Sequence, residues 1–290
     1  MTRICLLVAA VFALALPASA QQQPQQDPLR GQLGSIAIAP PPAEAAHLAK
    51  MMGDSLAALQ PQRPGQQDVY LLVASLWSDP VFEREATQAE AILRQHLHAD
   101  GRSILLSAGG QGERTHPAAS PENLSAAVGQ IASLMDPNED LLVIFLTTHG
   151  SPDGSAALRE HNRMGGALHP ANLADMLRSS GVRNRVVIVS ACFSGAFIAP
   201  LADDNTIVIA AAQSDRTSFG CQPERDWTFF GDAYFNHGLS AGGTILNSFD
   251  TAKTWVERWE HEQNLTPPSN PQRFVGAHAA EMVRHAEQQH

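Results

Sequence analysis

Five short apolar runs recur along the chain and constrain its fold more than any other feature. They are DVYLLVASLW (68–77), RSILLS (102–107), DLLVIFLTT (140–148), RVVIVSA (185–191) and TIVIAAA (206–212). Stretches with apolar residues at helical spacing lie between them, such as EATQAEAILRQHL at 85–97. Strands that are apolar throughout and alternate with amphipathic helices form a mostly parallel sheet that is covered on both faces. The pattern therefore predicts an α/β fold.

The remaining segments carry weaker signals. We expect an additional N-terminal helix within 41–60, where apolar residues again recur at helical spacing. A glycine-rich connection follows 148, and a helix is expected at 229–239. The segment 267–276 contains three prolines and is predicted to be irregular up to the last helix.

The first 20 residues, MTRICLLVAAVFALALPASA, combine a basic side chain at Arg3, an apolar stretch and a small-residue ending at 18–20. This pattern is typical of a secretory signal peptide. The apolar stretch is shorter than the roughly 20 residues that a bilayer requires, so a membrane anchor is the weaker interpretation. We expect removal of residues 1–20 and export of a mature chain without a membrane span, either to the periplasm or by secretion. Residues 21–66 would then form a Gln- and Pro-rich leader with one helix, and 67–290 the folded domain.

Charge and cysteine content exclude some classes of protein. The formal net charge is −10, which disfavours nucleic acid as a partner. Of the three cysteines, Cys5 lies in the expected signal peptide, so the mature chain keeps Cys192 and Cys221. Two cysteines are too few for the disulfide scaffold of a small exported domain, although the sequence leaves open whether they are bridged. It also leaves the oligomeric state open.

Two of the apolar runs are followed by residues that can do chemistry. His149 comes directly after the third run and Cys192 directly after the fourth. Because ligands bind at the carboxyl ends of parallel strands, we expect both residues at one edge of the sheet. A cysteine, a histidine and backbone N–H groups beside glycine supply what nucleophilic acyl transfer needs. Gly150 would let a substrate carbonyl approach the backbone closely, and Gly195 would allow a tight turn out of the strand. From spacing alone, a buried cysteine and an unrelated loop histidine are an equally good interpretation.

The two segments also match a known pattern as a pair. LVIFLTTHGSPDG (142–154) and VVIVSACFSGAF (186–197) resemble the two active-site blocks of the legumain-like cysteine peptidases, which include the catalytic subunit of the GPI transamidase. The resemblance implies a caspase-like three-layer α/β sandwich and an endopeptidase that cuts peptides or proteins through a thioester, without a cofactor. It makes Cys192 the nucleophile and His149 its proton-transfer partner. It also makes the N–H groups of Gly150 and Cys192 the oxyanion donors.

Further blocks resemble the family's substrate pocket. They are FEREATQAEAIL (82–93), IAAAQSDRTSFGC (209–221) and TFFGD (228–232). The resemblance places Arg84, Ser218 and Asp232 in the pocket for the residue before the scissile bond. Ser190 stands where the Asn-selective members carry an acid, and Glu85 replaces a pocket histidine. Asn or Asp before the scissile bond is the implied preference, and these departures leave a basic residue open as well.

Other functions were weighed against this one. A transpeptidase or transamidase would use the same chemistry with an amine in place of water. A catalytically silent member would use the cleft to bind a peptide or protein, which the presence of both His149 and Cys192 disfavours. The residues His278, Glu281 and His285 share a helical face that could hold a metal, but a solvated terminal helix fits this spacing better. We therefore predict no metal site.

Overall fold

The computed structural model describes residues 40–110, 114–161 and 164–289. The expected signal peptide and the first part of the expected leader lie outside these residues. The helices are α1 Pro42–Ala57, α2 Pro80–His96, α3 Pro121–Leu134, α4 Pro170–Ser180, α5 Ile198–Leu201, α6 Phe229–Gly231, α7 Ile245–Glu262 and α8 Ala277–Gln288. The strands are β1 Val69–Ser75, β2 Ser103–Ser107, β3 Leu141–Thr147, β4 Ala156–Glu160, β5 Met164–Leu168, β6 Arg185–Ser190, β7 Thr206–Ala210 and β8 Gln272–Val275.

The centre of the protein is a six-stranded sheet with the order β2-β1-β3-β6-β7-β8. The first five strands are parallel, and β8 runs antiparallel to β7 at one edge. Every residue of β1, β3 and β6 is buried, which explains why these strands are apolar along their whole length. The α/β class and the mostly parallel sheet predicted from the sequence are confirmed.

Helices cover both faces of this sheet. On one face, α1, α3 and α4 pack against alternate strand residues such as Ile144. On the other face, α2, α7 and α8 pack against the intervening residues such as Phe145. Because successive side chains of a strand point to opposite faces, one apolar run supplies both layers of the core. The result is a three-layer sandwich. Among the described residues, no helix is long and apolar enough to cross a membrane.

The weaker sequence signals gave mixed results. The helix expected within 41–60 is present as α1. The glycine-rich connection after β3 contains the antiparallel hairpin β4–β5, which the sequence did not predict. The irregular segment expected at 267–276 contains the edge strand β8, whose residues alternate between half-buried and exposed. The helix expected at 229–239 is broken into α6, a π-helical turn at Asp232–Asn236 and the beginning of a 3-10 turn at Leu239–Ala241.

Candidate active site

His149 lies at the carboxyl edge of the sheet, just beyond β3. The backbone N–H of Thr148 donates to the carbonyl of Ser190 at 3.1 Å, so β3 is still tied to β6 at this point. The imidazole of His149 contacts the rings of Trp77 and Phe82 edge to face, with centroid separations of 5.1 and 4.9 Å. Its Nε2 lies 3.2 Å from a carboxylate oxygen of Asp79. The ring is therefore held by apolar contacts and one charged partner.

The charge of His149 is set by its neighbours. Burial alone would lower its pKa, but Asp79 and the thiol of Cys221 outweigh this effect and raise the pKa to about 9. The same pairing with His149 lowers the pKa of Asp79. At neutral pH the site therefore holds an imidazolium paired with a carboxylate.

Cys192 lies in a tight turn just beyond β6. Phe193 adopts the left-handed conformation with φ 59°, and its N–H donates to the carbonyl of Arg216 at 2.7 Å. The sequence suggested that Gly195 makes the turn, but its φ is not in the left-handed region. Gly195 is needed for a different reason: a Cβ there would crowd the backbone of 212–214, to which its N–H is bonded.

The sulfur of Cys192 is surrounded by backbone groups. The N–H of Ser218 donates to the sulfur at 3.3 Å, and the thiol is 3.6 Å from the carbonyl of Ser218. Burial raises the pKa of Cys192, while the N–H groups of Ser218, Gly150 and Cys192 itself act in the opposite direction. Two of these three groups are the oxyanion donors that the sequence suggested. A Cβ at Gly150 would overlap the carbonyl oxygen of Cys192, so only glycine allows the two turns to pack together.

A second thiol, Cys221, lies beside the same imidazole. Its side chain packs against the apolar cluster that contains Trp77 and Phe82. It interacts with the His149 ring, and it also raises the pKa of Cys192 electrostatically. Both cysteines are free. The structure thus brings His149 and Cys192 to one edge of the sheet. The polar contacts of the imidazole are with Asp79 and Cys221, and those of the Cys192 sulfur are with backbone groups.

The family follows from the sequence around these turns. The sequence model of the Peptidase C13 family matches residues 121–277, more than half of the chain, including both His149 and Cys192. The chain belongs to the peptidase C13 family. The resemblance to legumain-like cysteine peptidases is thereby confirmed. The mostly parallel sheet between two helical layers is the caspase-like sandwich that the resemblance implied.

Two solved structures are similar to this C13 member. Caspase-1 from Spodoptera frugiperda is 11% identical, with 75% of this chain and 88% of that chain covered and a TM-score of 0.49. A structure of pro-sf-caspase-1 is 12% identical, with 72% and 88% covered and a TM-score of 0.47. No curated protein matches the chain.

Two of the predicted pocket residues of this C13 member are bonded to its own chain. Arg84 donates from Nη2 to the carbonyl of Arg225 at 2.6 Å, and its Nε lies 3.0 Å from a carboxylate oxygen of Asp226. Asp232 begins the π-helical turn and accepts from the side-chain amide of Asn236 at 2.8 Å. Both side chains are half-buried. Arg84 therefore holds the segment that precedes α6.

The other two predicted pocket residues lie closer to the nucleophile. Ser218 contacts the Cys192 sulfur through its backbone. Ser190, two residues before Cys192, is only 1% exposed, and its hydroxyl faces the buried carboxyl of Glu85 at 3.3 Å. Glu85, on α2, thus places a buried carboxyl group against the hydroxyl of Ser190.

Sequence reasoning missed two residues that contact His149. Asp79 lies just after β1, so the rule that pointed to His149 and Cys192 applies to it as well. Cys221 carried no signal beyond its being the second cysteine of the expected mature chain. Glu85 was noticed as a departure from the family pattern, without a role.

Metal binding has no support in the described ranges. Within 40–110, 114–161 and 164–289, no group of three or more His, Cys, Asp or Glu side chains is arranged to hold a metal ion. The imidazole of His285 is bonded to the side chain of Gln67 at 2.7 Å.

Proposed function

We propose that this C13 member is a cysteine endopeptidase that cleaves peptide bonds with Cys192 as nucleophile and His149 as proton-transfer partner. The observation that carries the proposal is the packing of two turns at the ends of β3 and β6. Gly150 lies directly against the backbone of Cys192, and the N–H groups of both residues act on the sulfur. This packing supports the proposal because the sulfur that would attack and the N–H groups that would bind the resulting oxyanion lie together.

The chemistry proceeds in two stages. The Cys192 thiolate attacks the peptide carbonyl, and the N–H groups of Gly150 and Cys192 stabilise the tetrahedral oxyanion. His149 then donates its proton to the leaving amine as the C–N bond breaks, which leaves a thioester on Cys192 and a neutral imidazole. The imidazole takes a proton from water as the water attacks the thioester. The products are a carboxylic acid and a free thiol.

Asp79 orients the imidazole in this scheme. A carboxylate at Nε2 favours the protonated ring and leaves Nδ1 for the reacting atoms. The same carboxylate holds the resting pair in an unreactive state at neutral pH, since His149 keeps its proton and burial keeps Cys192 a thiol. Loss of one proton from this pair generates the reactive form.

A peptide-like electrophile tests the assignment. We expect an acyloxymethyl ketone attached to a short peptide to label Cys192 in the mature chain, and the labelling to be lost in His149→Ala. Mass spectrometry of the digested protein resolves Cys192 from Cys221, which serves as an internal reference thiol. Hydrolysis of a peptide library should be lost in Cys192→Ala and retained in Cys221→Ala. Equal labelling of the two cysteines without hydrolysis would instead favour a binding module.

The residue preferred before the scissile bond and the acceptor of the acyl group, water or an amine, are measured in the same assay. The implied preference is Asn or Asp before the scissile bond, and a library that varies this residue over all amino acids measures it directly. Addition of a peptide with a free amino terminus distinguishes hydrolysis from transpeptidation, because transfer produces a ligated peptide of higher mass.

The place of action is part of the proposal. An exported peptidase, periplasmic or secreted, agrees with the signal-like pattern of residues 1–20. Cell fractionation with the full-length chain tests it, and export should be lost when that segment is deleted. Retention of the intact chain in the cytoplasm would contradict this part.

A further inference from the structure

A buried carboxyl group lies directly beneath the two catalytic turns. Glu85 belongs to α2, and none of its surface is exposed. Its carboxyl group accepts three hydrogen bonds from hydroxyl groups: from Thr147 at 2.7 Å, from Thr228 at 2.9 Å and from Ser190 at 3.3 Å. Because the side chain has no access to solvent, a substrate in the cleft does not touch it.

The three hydroxyl groups come from three different parts of the site. Thr147 is the last residue of β3 and Ser190 the last residue of β6, and the two are direct partners in the sheet. His149 and Cys192 each follow two residues later. Thr228 caps α6 and ends the segment that begins near Ser218. One carboxyl group therefore joins the end of β3, which leads to His149, the end of β6, which leads to Cys192, and the segment that contains Ser218 and Thr228.

The surrounding packing is built around this carboxyl group. A Cβ added to Gly231 would overlap one of the Glu85 oxygens, so the glycine of the TFFGD block leaves room for it. The hydroxyls of Ser190 and Thr228 also lie 3.0 Å apart, which closes a small network. Burying a carboxyl group without a cation costs free energy, and the hydroxyl donors offset only part of that cost. A leucine-sized apolar residue would avoid this cost but could not bond to either strand.

We infer that Glu85 is a positioning residue that fixes the end of the His149 strand relative to the end of the Cys192 strand. The inference rests on the proposed peptidase function. The imidazole and the sulfur can act on the same peptide bond only if the two turns keep their relative position, and a displacement of about 1 Å can cost about a hundredfold in rate. Glu85 acts through Thr147 and Ser190 and contacts neither the reacting atoms nor the substrate.

Three variants test this role. Glu85→Ala removes the bridge, and Glu85→Gln keeps its shape and one acceptor while its amide can donate to a reoriented hydroxyl. Glu83→Gln is the matched control. Glu83 lies on the same helix and accepts from Ser107 at the carboxyl end of β2, a strand that carries no site residue. For each variant we would measure kcat and KM on a cleaved peptide, and the rate of Cys192 alkylation by iodoacetamide, resolved from that of Cys221 by mass spectrometry.

The expected pattern separates positioning from general stability. Glu85→Ala should lower kcat by at least about tenfold per folded molecule while KM changes less than about threefold, because substrate contacts are untouched. Alkylation of Cys192 should slow towards the value measured in His149→Ala. Glu85→Gln should keep kcat within about threefold of wild type, and Glu83→Gln should match wild type. Wild-type kcat in folded Glu85→Ala, or equal changes in kcat and KM, would overturn the inference.

One further variant, together with the alkylation rates, keeps the test decisive. If Glu85→Ala does not fold, Thr147→Val replaces it, because this variant removes only the hydrogen bond between Glu85 and the end of β3. It should give the same fall in kcat and in the rate of Cys192 alkylation. Wild-type values of kcat and of the alkylation rate in Thr147→Val would overturn the inference. If the wild-type chain cleaves no peptide at all, the proposed function fails. The alkylation rates still report whether Glu85 controls the reactivity of Cys192.

Discussion

At the scale of single residues, the proposed mechanism makes the protonation of His149 decisive for the reactivity of Cys192. Its carboxylate partner Asp79 and the neighbouring thiol Cys221 both favour the imidazolium, which raises its pKa to about 9 despite burial. Since burial also raises the pKa of Cys192, both His149 and Cys192 are protonated at pH 7, which is one proton more than the reactive pair holds. Peptidase activity should therefore rise between pH 7 and the pKa of His149.

Removal of the carboxylate should change this profile in a defined direction. Asp79→Ala lowers the pKa of His149, so the rise of kcat/KM moves to lower pH. The plateau should fall by at least about tenfold, because the ring loses the partner that orients it. A full pH profile of kcat/KM measures both effects. Asp153→Ala is a suitable control, since Asp153 accepts within its own turn beyond Gly150 and should leave the midpoint in place.

Cys221 gives a second prediction for single residues. Cys221 favours the protonated imidazole and also raises the pKa of Cys192 electrostatically. Cys221→Ala should therefore increase the rate of Cys192 alkylation at pH 7 by about twofold or more, because both partners titrate at lower pH. Mass spectrometry of the labelled protein measures this rate. A lower rate in the variant would show that Cys221 assists the pair.

At the scale of elements, the site depends on two turns packed together, and Gly150 is the point of closest approach. A methyl group in Gly150→Ala would overlap the Cys192 carbonyl, so one turn must move and carry an oxyanion donor with it. We expect kcat to fall by about a hundredfold or more. Gly129→Ala in α3 is the control, because a Cβ there meets nothing within 4 Å and alanine favours the helix. Steady-state kinetics of both variants should separate the two outcomes.

The sequence predicted some elements better than others for physical reasons. The strands β1, β3, β6 and β7 are buried along their whole length. Their continuous apolar runs can be recognised in the sequence without knowing which strands they pair with. The hairpin β4–β5 is short, and its second strand contains two glycines, so its pairing depends on tertiary contacts. The edge strand β8 follows prolines and has only four residues. The sequence patterns of the β4–β5 hairpin and of β8 therefore could not be distinguished from that of a loop.

At the scale of the whole molecule, the order of the strands in the sheet explains which site residues could be predicted from the sequence. His149 and Cys192 were predictable because each ends an apolar run, and neighbouring parallel strands bring such ends together. Asp79 and Glu85 lie on the segment leading into α2 and on α2 itself, outside the stretch that matches the family. Their contacts with β3 and β6 exist only once the helix has packed on the sheet. The sequence places Asp79 after a strand and Glu85 in a block that resembles the family's pocket, but it does not identify the side chains that they contact.

The same packing links the fold's stability to pH through Glu85. Burial raises its pKa to about 7, against an ordinary value of 4.5, so the folded protein holds a proton that the unfolded chain has lost over this range. The free energy of unfolding therefore contains a favourable contribution below pH 4.5 that disappears as pH rises through 7, worth about 3 kcal/mol in all. Glu85→Gln is neutral at every pH and lacks this dependence. Urea unfolding of both proteins at pH 5 and pH 8 should show the variant gaining stability relative to wild type by up to about 3 kcal/mol at the higher pH. A difference that stays constant between the two pH values would mean that Glu85 carries the same charge in the folded and unfolded states, and the hydroxyl network would then be holding a permanent carboxylate.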